Sequence, residues 1–404
     1  MLALIDDEDY IYSMFKSVRI GLERLPEMRK SLPVGESPAL LGSVASVSGD
    51  LCASIDFLLG NGIPIGSIFG PQHGYLVTDQ ANMVEWDGAV DRRTGLRIHS
   101  LYGKNRRPTP EMLDGVSSLI IDLQDIGARY YTYIWTALLC LRACAKKGIP
   151  VIVLDRPNPI DGVTLEGPGI SNDFESFVGL SSIPIRHGCT IGELMRIFAR
   201  REGFENALHV VGMEGWSRGM RWPDTGLPWV SPSPNMPNFS TAALYPGGCL
   251  IEGTNLSEGR GTTLPFHLVG APWSDGYDLA AALDAEEKLS GVAFRPTTFK
   301  PCFDKFAGRI CNGIQIHIVD YSLFEPVLTF YSIIRNFKRL FPGDFRWASP
   351  PYEYEFEKPP IDILAGGPQI RESVEADVPG TELKSIWQGF TEQFESERRE
   401  GLLY

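Results

Sequence analysis

Between about residues 38 and 155, apolar residues fall in short unbroken runs that alternate with stretches of helical spacing. "ALLGSVASV", "IPIGSIFG", "LRIHSLYG", "SSLIIDLQD" and "IPVIVLDRPNP" read as strands. "LCASIDFLLGNG" and "YYTYIWTALLCLRACAKKG" read as helices closed by glycine, the second with Lys146 and Lys147 in its last turn. "TPEML" offers Thr109 as N-cap and Pro110 at the first helical position, which predicts a further helix start. "TIGELMRIFARREG" and "ALHVVGM" add one more helix and strand. Unbroken apolar strands separated by helices predict a parallel sheet covered on both faces, a Rossmann-like α/β domain.

The pattern then changes. Residues 215 to 273 are crowded with Pro, Gly, Trp, Ser and Asn and predict a long loop-rich segment, which in a compact chain is usually functional. From about residue 275, helical stretches ("DLAAALDAEEKL", "FEPVLTFYSIIRNFKRLF", "ELKSIWQGFTEQFESERRE") mix with strands ("GVAFRPTTF", "GIQIHIVD"). This predicts a second, smaller α+β ancillary domain, with the division at 1–240 and 241–404. No repeat or low-complexity tract is visible.

Composition narrows the function classes. A chain of 404 residues with 22% charged and 43% hydrophobic residues is a globular protein large enough for two domains. A net charge of −13 argues against nucleic acid as partner. The one basic run, "KNRRP" at 104–108, reads as a solvated loop. No apolar run approaches the ~20 residues of a membrane span, and the acidic start "MLALIDDEDY" is unlike a secretory signal, so a cytoplasmic location is expected. Seven scattered cysteines and six dispersed histidines form no metal motif, and Cys140 and Cys144 read as two small buried residues. The first strand runs into "SVSGD", without a phosphate-cradling glycine loop, so neither a nucleotide nor a metal cofactor is expected.

The chemistry-bearing residues lie just past strand ends: Gln72 and His73, then Asp122 and Asp125, then Asp155, Arg156 and Asn158. The loop-rich segment adds Asn235, Glu252, Asn255, Glu258 and Arg260. Carboxylates among amides, arginines and aromatic rings fit a sugar site. Each residue also has a structural reading. Asp122 and Asp125 could cap their loop and pair with Arg129, Asp155 could pair with Arg156, His73 could be a core histidine, and Glu258 with Arg260 could stiffen a loop.

Taken together, "GPQHG", "DLQDIGARYYTYI", "VLDRPNPIDG", "GLPWVSPSPNMP" and "YPGGCLIEGTNLSEGRGTTLPFHLVGAPW" resemble the exo-β-N-acetylmuramidase family of bacterial cell-wall glycosidases, from about residue 38 to the end. The resemblance implies an active site in the cleft between the two domains. It also implies release of terminal N-acetylmuramic acid from small peptidoglycan fragments (a muropeptide or amino-sugar disaccharide), as in cell-wall recycling, without metal or nucleotide. The family commonly carries P-E-H-G, with the glutamate as the favoured acid, where this chain has Pro71-Gln72-His73-Gly74. A glutamine cannot protonate a leaving oxygen. Two outcomes are open: the acid is relocated, to Glu85 in the "TDQANMVEW" loop or to an Asp122–Glu258 pair, or it is lost. The expected cleft therefore holds Gln72, His73, Glu85, Asp122 and Glu258 as catalytic candidates. Arg129, Asn158, Asn235, Glu252, Asn255 and Arg260 are the substrate-binding ones. The rivals to a glycosidase are a non-catalytic cell-wall-sugar binding or sensing protein, and a hydrolase of an amide or ester that uses Glu258 or Asp122 as base.

Overall fold

A computed structural model describes residues 18–78, 83–286 and 289–404. The acidic start, residues 79–82 of the "TDQANMVEW" loop and residues 287–288 lie outside the described residues. Seven short strands form the larger sheet: β1 (Ala39–Leu41), β2 (Ser67–Gly70), β3 (Ala89–Val90), β4 (Arg97–Ser100), β5 (Leu119–Ile121), β6 (Val151–Leu154) and β7 (Leu208–Val211). Their order is β3-β4-β2-β1-β5-β6-β7, and every neighbouring pair is parallel except β3 with β4.

Alternation along these strands explains their unbroken apolar runs. Ala39, Leu41, Leu119, Ile121, Val151 and Val153 face one core, which also receives the helices α3 (Tyr133–Lys147) and α4 (Ile191–Glu202). Leu40, Ile120, Ile152 and Leu154 face the opposite core, packed by α1 (Gly21–Met28) and α2 (Ser54–Gly60). Both faces are dry, so both parities must be apolar. Helix ends obey local chemistry. α4 starts with a Thr190–Glu193 capping box and stops at Gly203 with φ 73°, while α3 stops at Gly148 with φ 71°.

The smaller domain is built on an antiparallel sheet of β8 (Leu268–Ala271), β9 (Val292–Phe299) and β10 (Cys311–Ile318), in the order β8-β10-β9. Helices α5 (Phe239–Gly248), α6 (Gly276–Asp284) and α7 (Pro326–Leu340) pack with it, followed by helices Pro360–Ala365, Gln369–Glu375, Gly380–Leu383 and Ser385–Arg398. One contiguous core joins the two sheets, running from Ala39 and Trp135 to Ile314, Phe330 and Trp387. Among the described residues, no helix is long and apolar enough to cross a membrane.

The structure corrects the sequence pattern in two places. The Thr109–Pro110 start leads only to a single 3-10 turn, Glu111–Leu113. The segment 215–273 is less irregular than its composition, since it contains α5, the turn Cys249–Gly253 and β8. From Thr241 to Gly248 every residue of α5 is buried, so no apolar stripe marks it, and Pro246 lies inside it. Gly247 is required by contact: a Cβ there would lie 2.0 Å from the carbonyl oxygen of Pro326 at the start of α7.

Arg129 ties the layers together. Its fully buried guanidinium donates to the carbonyl oxygens of Pro168 (2.5 Å), Ile183 (2.9 Å) and Leu364 (2.7 Å). Arg129→Met keeps the length but orphans three buried acceptors, and a loss of about 3 kcal/mol or more is expected. Urea denaturation at pH 7 checks this; an unchanged midpoint and slope would contradict it.

Candidate functional site

The cavity lies at the carboxyl ends of β2, β4 and β5, where open α/β sheets place ligands. Strand β2 ends at Gly70, and Pro71 turns the chain. His73 and Gly74 then take left-handed backbone, φ 67° and 77°. This turn buries Gln72 and fixes its amide. The Thr132 hydroxyl, just ahead of α3, donates to Gln72 Oε1 at 2.5 Å. The amide nitrogen therefore points the other way, to Tyr102 Oη at 3.0 Å and to Glu353 Oε1 at 3.4 Å. Tyr102 in turn donates to Glu353 Oε2 at 2.9 Å and accepts from the Met83 backbone at 3.1 Å.

Glu353 comes from a tight turn in the C-terminal part of the chain. Tyr352 and Glu355 exchange two backbone hydrogen bonds of 2.9 Å each. The two residues between them, Glu353 and Tyr354, have φ of 42° and 67°. Two left-handed central residues are the signature of a type I′ turn, for which Asn-Gly is the usual sequence. Each non-glycine residue there costs on the order of 1–2 kcal/mol, and retained strain of this kind concentrates at functional sites. Burial pushes the Glu353 carboxyl up to about 7. The charge of Glu252 acts in the same direction, while the hydrogen bonds from Tyr102 and Gln72 and the charge of Arg260 pull it back.

Behind Glu353 stands a second carboxylate set of the opposite character. Arg260 donates to Glu252 Oε1 at 2.7 Å, and Tyr352 donates to Glu252 Oε2 at 2.8 Å. Burial alone would raise Glu252, but the Arg260 charge and these hydrogen bonds outweigh it and hold the group below the ordinary range. Glu258 pairs with Lys305 at 3.1 Å and with Arg260 at 3.4 Å. Burial lifts it despite these cations, helped by the nearby Glu252.

An empty volume of about 430 Å³ lies among Gln72, His73, Tyr130, Tyr131, Thr132, Tyr133, Val178, Ser233, Asn235, Met236, Tyr245, Arg260, Tyr352 and Glu353. That figure includes the open mouth of the cleft; the enclosed part is only about 30 Å³, so a sugar ring would have to displace the lining to enter. His73 Nε2 meets the Ser233 hydroxyl at 3.3 Å. Burial raises the phenols of Tyr130, Tyr131, Tyr133, Tyr245 and Tyr352, so these rings stay neutral. The lining offers flat rings, two amides and a guanidinium, with one carboxyl able to hold its proton near neutrality. Among the described residues, no group of three or more His, Cys, Asp or Glu side chains is arranged to hold a metal.

Of the residues expected to share the cleft, Gln72, His73, Asn235 and Arg260 line it, and Glu252 and Glu258 sit one contact behind, bonded to Arg260. The others lie elsewhere. Glu85 is exposed and 3.6 Å from Arg106, and the place beside the Gln72 amide belongs to Glu353. Asp122 is buried against Arg156, at 2.5 Å, and against Ser54; its partner is neither Arg129 nor Glu258. Asp125 caps the backbone of Gly127. Asp155 accepts from Thr190 and Gly192, not from Arg156. Asn158 donates to the Cys189 carbonyl and Asn255 to the Asp344 carbonyl, so both brace loops. Arg129 serves the three carbonyls described above. Sequence reading missed Glu353, Thr132 and Tyr352. A signal was there: "YEYEFE" alternates rings and carboxylates between two proline pairs.

Comparison with known proteins gives a consistent relationship. The family model described as exo-beta-N-acetylmuramidase NamZ, N-terminal, matches residues 39–240, and its C-terminal counterpart matches residues 243–404. The peptidoglycan beta-N-acetylmuramidase NamZ of Bacillus subtilis (strain 168) is 41% identical over 389 residues, covering 96% of this chain and 91% of that protein. Two crystal structures of DUF1343 family proteins from Bacteroides fragilis NCTC 9343 superpose with TM-scores of 0.84 and 0.74, at 31% and 28% identity. Each covers 96% of this chain and 99% of its own.

The network around Glu353 makes a prediction that needs no substrate. A carboxyl-carbon NMR titration should place Glu353 near pH 7. Tyr102→Phe removes a hydrogen bond that favours the ionised form, so the midpoint should move higher. A wild-type midpoint near 4, or a downward shift in the variant, would contradict the geometry.

Proposed function

The chain belongs to the exo-β-N-acetylmuramidase NamZ family, and on that premise we propose that it is a glycosidase releasing terminal N-acetylmuramic acid from peptidoglycan fragments. In this reading Glu353, not residue 72, supplies the proton. The observation that supports it is the carboxyl of Glu353 held against the Gln72 amide at 3.4 Å, on the wall of the cavity.

The chemistry follows from the environment. Cleavage of a glycosidic bond needs an acid at the leaving oxygen and passes through a transition state with positive charge on the sugar ring. A carboxyl raised to about 7 is protonated for about half the population at neutral pH and can return its proton cheaply. The neutral tyrosine rings of the cavity offer flat faces to a pyranose and electron-rich surfaces to developing positive charge. Arg260 lines the cavity and is braced by Glu252, and in this reading its guanidinium faces the carboxylate of the sugar. Gln72 contributes a hydrogen bond that orients Glu353 without competing for its proton.

The test is turnover of a chromogenic N-acetylmuramide. Glu353→Gln should lower kcat/KM by roughly 10²–10⁴-fold, the usual contribution of a positioned acid. Glu85→Gln should change it by no more than about twofold, because an exposed pair contributes little. The acid must be protonated, so activity should fall as pH rises through about 7. Gln72→Glu should not raise the rate at pH 7, since two carboxyls so close would titrate as a mutually repelling pair. Full activity in Glu353→Gln would overturn the assignment. Tight binding without product in the wild type, with turnover created by Gln72→Glu, would instead favour a sugar-binding protein that has lost its acid.

A further inference from the structure

In the basic run at 104–108, Lys104 and Arg107 are exposed as a solvated loop requires, but Arg106 is not. Arg106 lies with its guanidinium carbon 3.2 Å from the centre of the Tyr354 ring and 5.8 Å from that of Phe177. Its side chain is only 30% exposed, and its buried Nε has no hydrogen-bond partner among the described residues. The buried Tyr354 hydroxyl likewise has none. Neither group is held by hydrogen bonds at these atoms, so the flat stacking of guanidinium on ring is the contact between them. The same ring meets Tyr102 edge-on at 5.9 Å.

The position of this stack gives it meaning. Tyr354 is one of the two left-handed residues at the tip of the Tyr352–Glu355 turn, and Glu353 is the other. A Glu-Tyr pair has no intrinsic preference for that backbone and would relax if released. The ring of Tyr354 is gripped on one face by Arg106 and at an edge by Tyr102, and Tyr102 also holds the Glu353 carboxyl. We propose that Arg106 is a positioning residue: by stacking on Tyr354 it locks the strained turn and so keeps Glu353 against Gln72 and Tyr102. This proposal rests on the reading of Glu353 as proton donor for its effect on catalysis, but its structural part stands apart from that reading.

The experiment has two arms. Hydrogen–deuterium exchange of residues 350–356 reports the turn directly. Arg106→Ala should speed exchange in that segment while the strands of the large sheet stay as protected as in the wild type. Tyr354→Phe, which keeps the ring and loses only an unpartnered hydroxyl, should leave exchange unchanged. The kinetic arm uses the chromogenic muramide. Arg106→Ala should lower kcat by about 10–100-fold, the cost of a catalytic group displaced by an ångström, with KM nearly unchanged. Arg106→Lys, which keeps the charge without the plane, should recover only part of the rate. In a Glu353→Gln background, Arg106→Ala should cost nothing further, because its effect passes through Glu353. Unchanged exchange at 350–356 in Arg106→Ala overturns the proposal, as does an undiminished rate loss in the double variant. Faster exchange combined with a fully active Glu353→Gln would fault only the role of Glu353 and leave the clamp standing.

Discussion

The hydrogen bond between the Gln72 amide and the Glu353 carboxyl joins positions 281 residues apart, and the arrangement of the cavity depends on it. It sets a group from the end of a parallel strand against one from a turn in the C-terminal part of the chain. A glutamate at position 72 would confront Glu353 with a second carboxyl, and one of the two would have to stay protonated. An amide removes that conflict. It accepts from Thr132 on one side and donates to Tyr102 and Glu353 on the other, so each end of the amide has its own partners. Gln72 is thus a structural complement to Glu353.

Around this contact the protein separates its buried carboxyls by giving cations to some and withholding them from another. Glu252 has Arg260 and Tyr352, and is held ionised. Glu258 has Lys305 and a share of Arg260, yet burial still lifts it. Among the described residues Glu353 has only neutral donors in direct contact, and burial decides its state. Carboxyls pushed apart in this way are the usual arrangement of sites that transfer protons. The cost appears in the backbone, where Glu353 and Tyr354 occupy a conformation that neither favours.

What the sequence by itself determined is the layered α/β fold, because burial on both sheet faces demands unbroken apolar strands and because helix caps and terminal glycines are local chemistry. Gly148 closes its helix as its position predicts, and Thr190 and Gly203 cap theirs by the same local chemistry. Motif resemblance likewise settled the family, and strand-end logic reached Gln72 and His73. Only the tertiary structure decided which charges meet. Along the chain Asp122 and Glu258 stood out and Glu353 did not, yet each of the two is committed to a cation by folding. Glu85 follows closely on the same strand end as Gln72 but points to solvent, whereas Glu353 reaches Gln72 from the far end of the chain. Helix α5 was hidden for a related reason: burial on all sides erases the apolar period, and Gly247 reports a neighbouring helix rather than a loop. Periodicity and capping are properties of a few consecutive residues and can be read along the chain. Desolvation, ion pairing and strain belong to contacts between distant segments, and those exist only once the chain has folded.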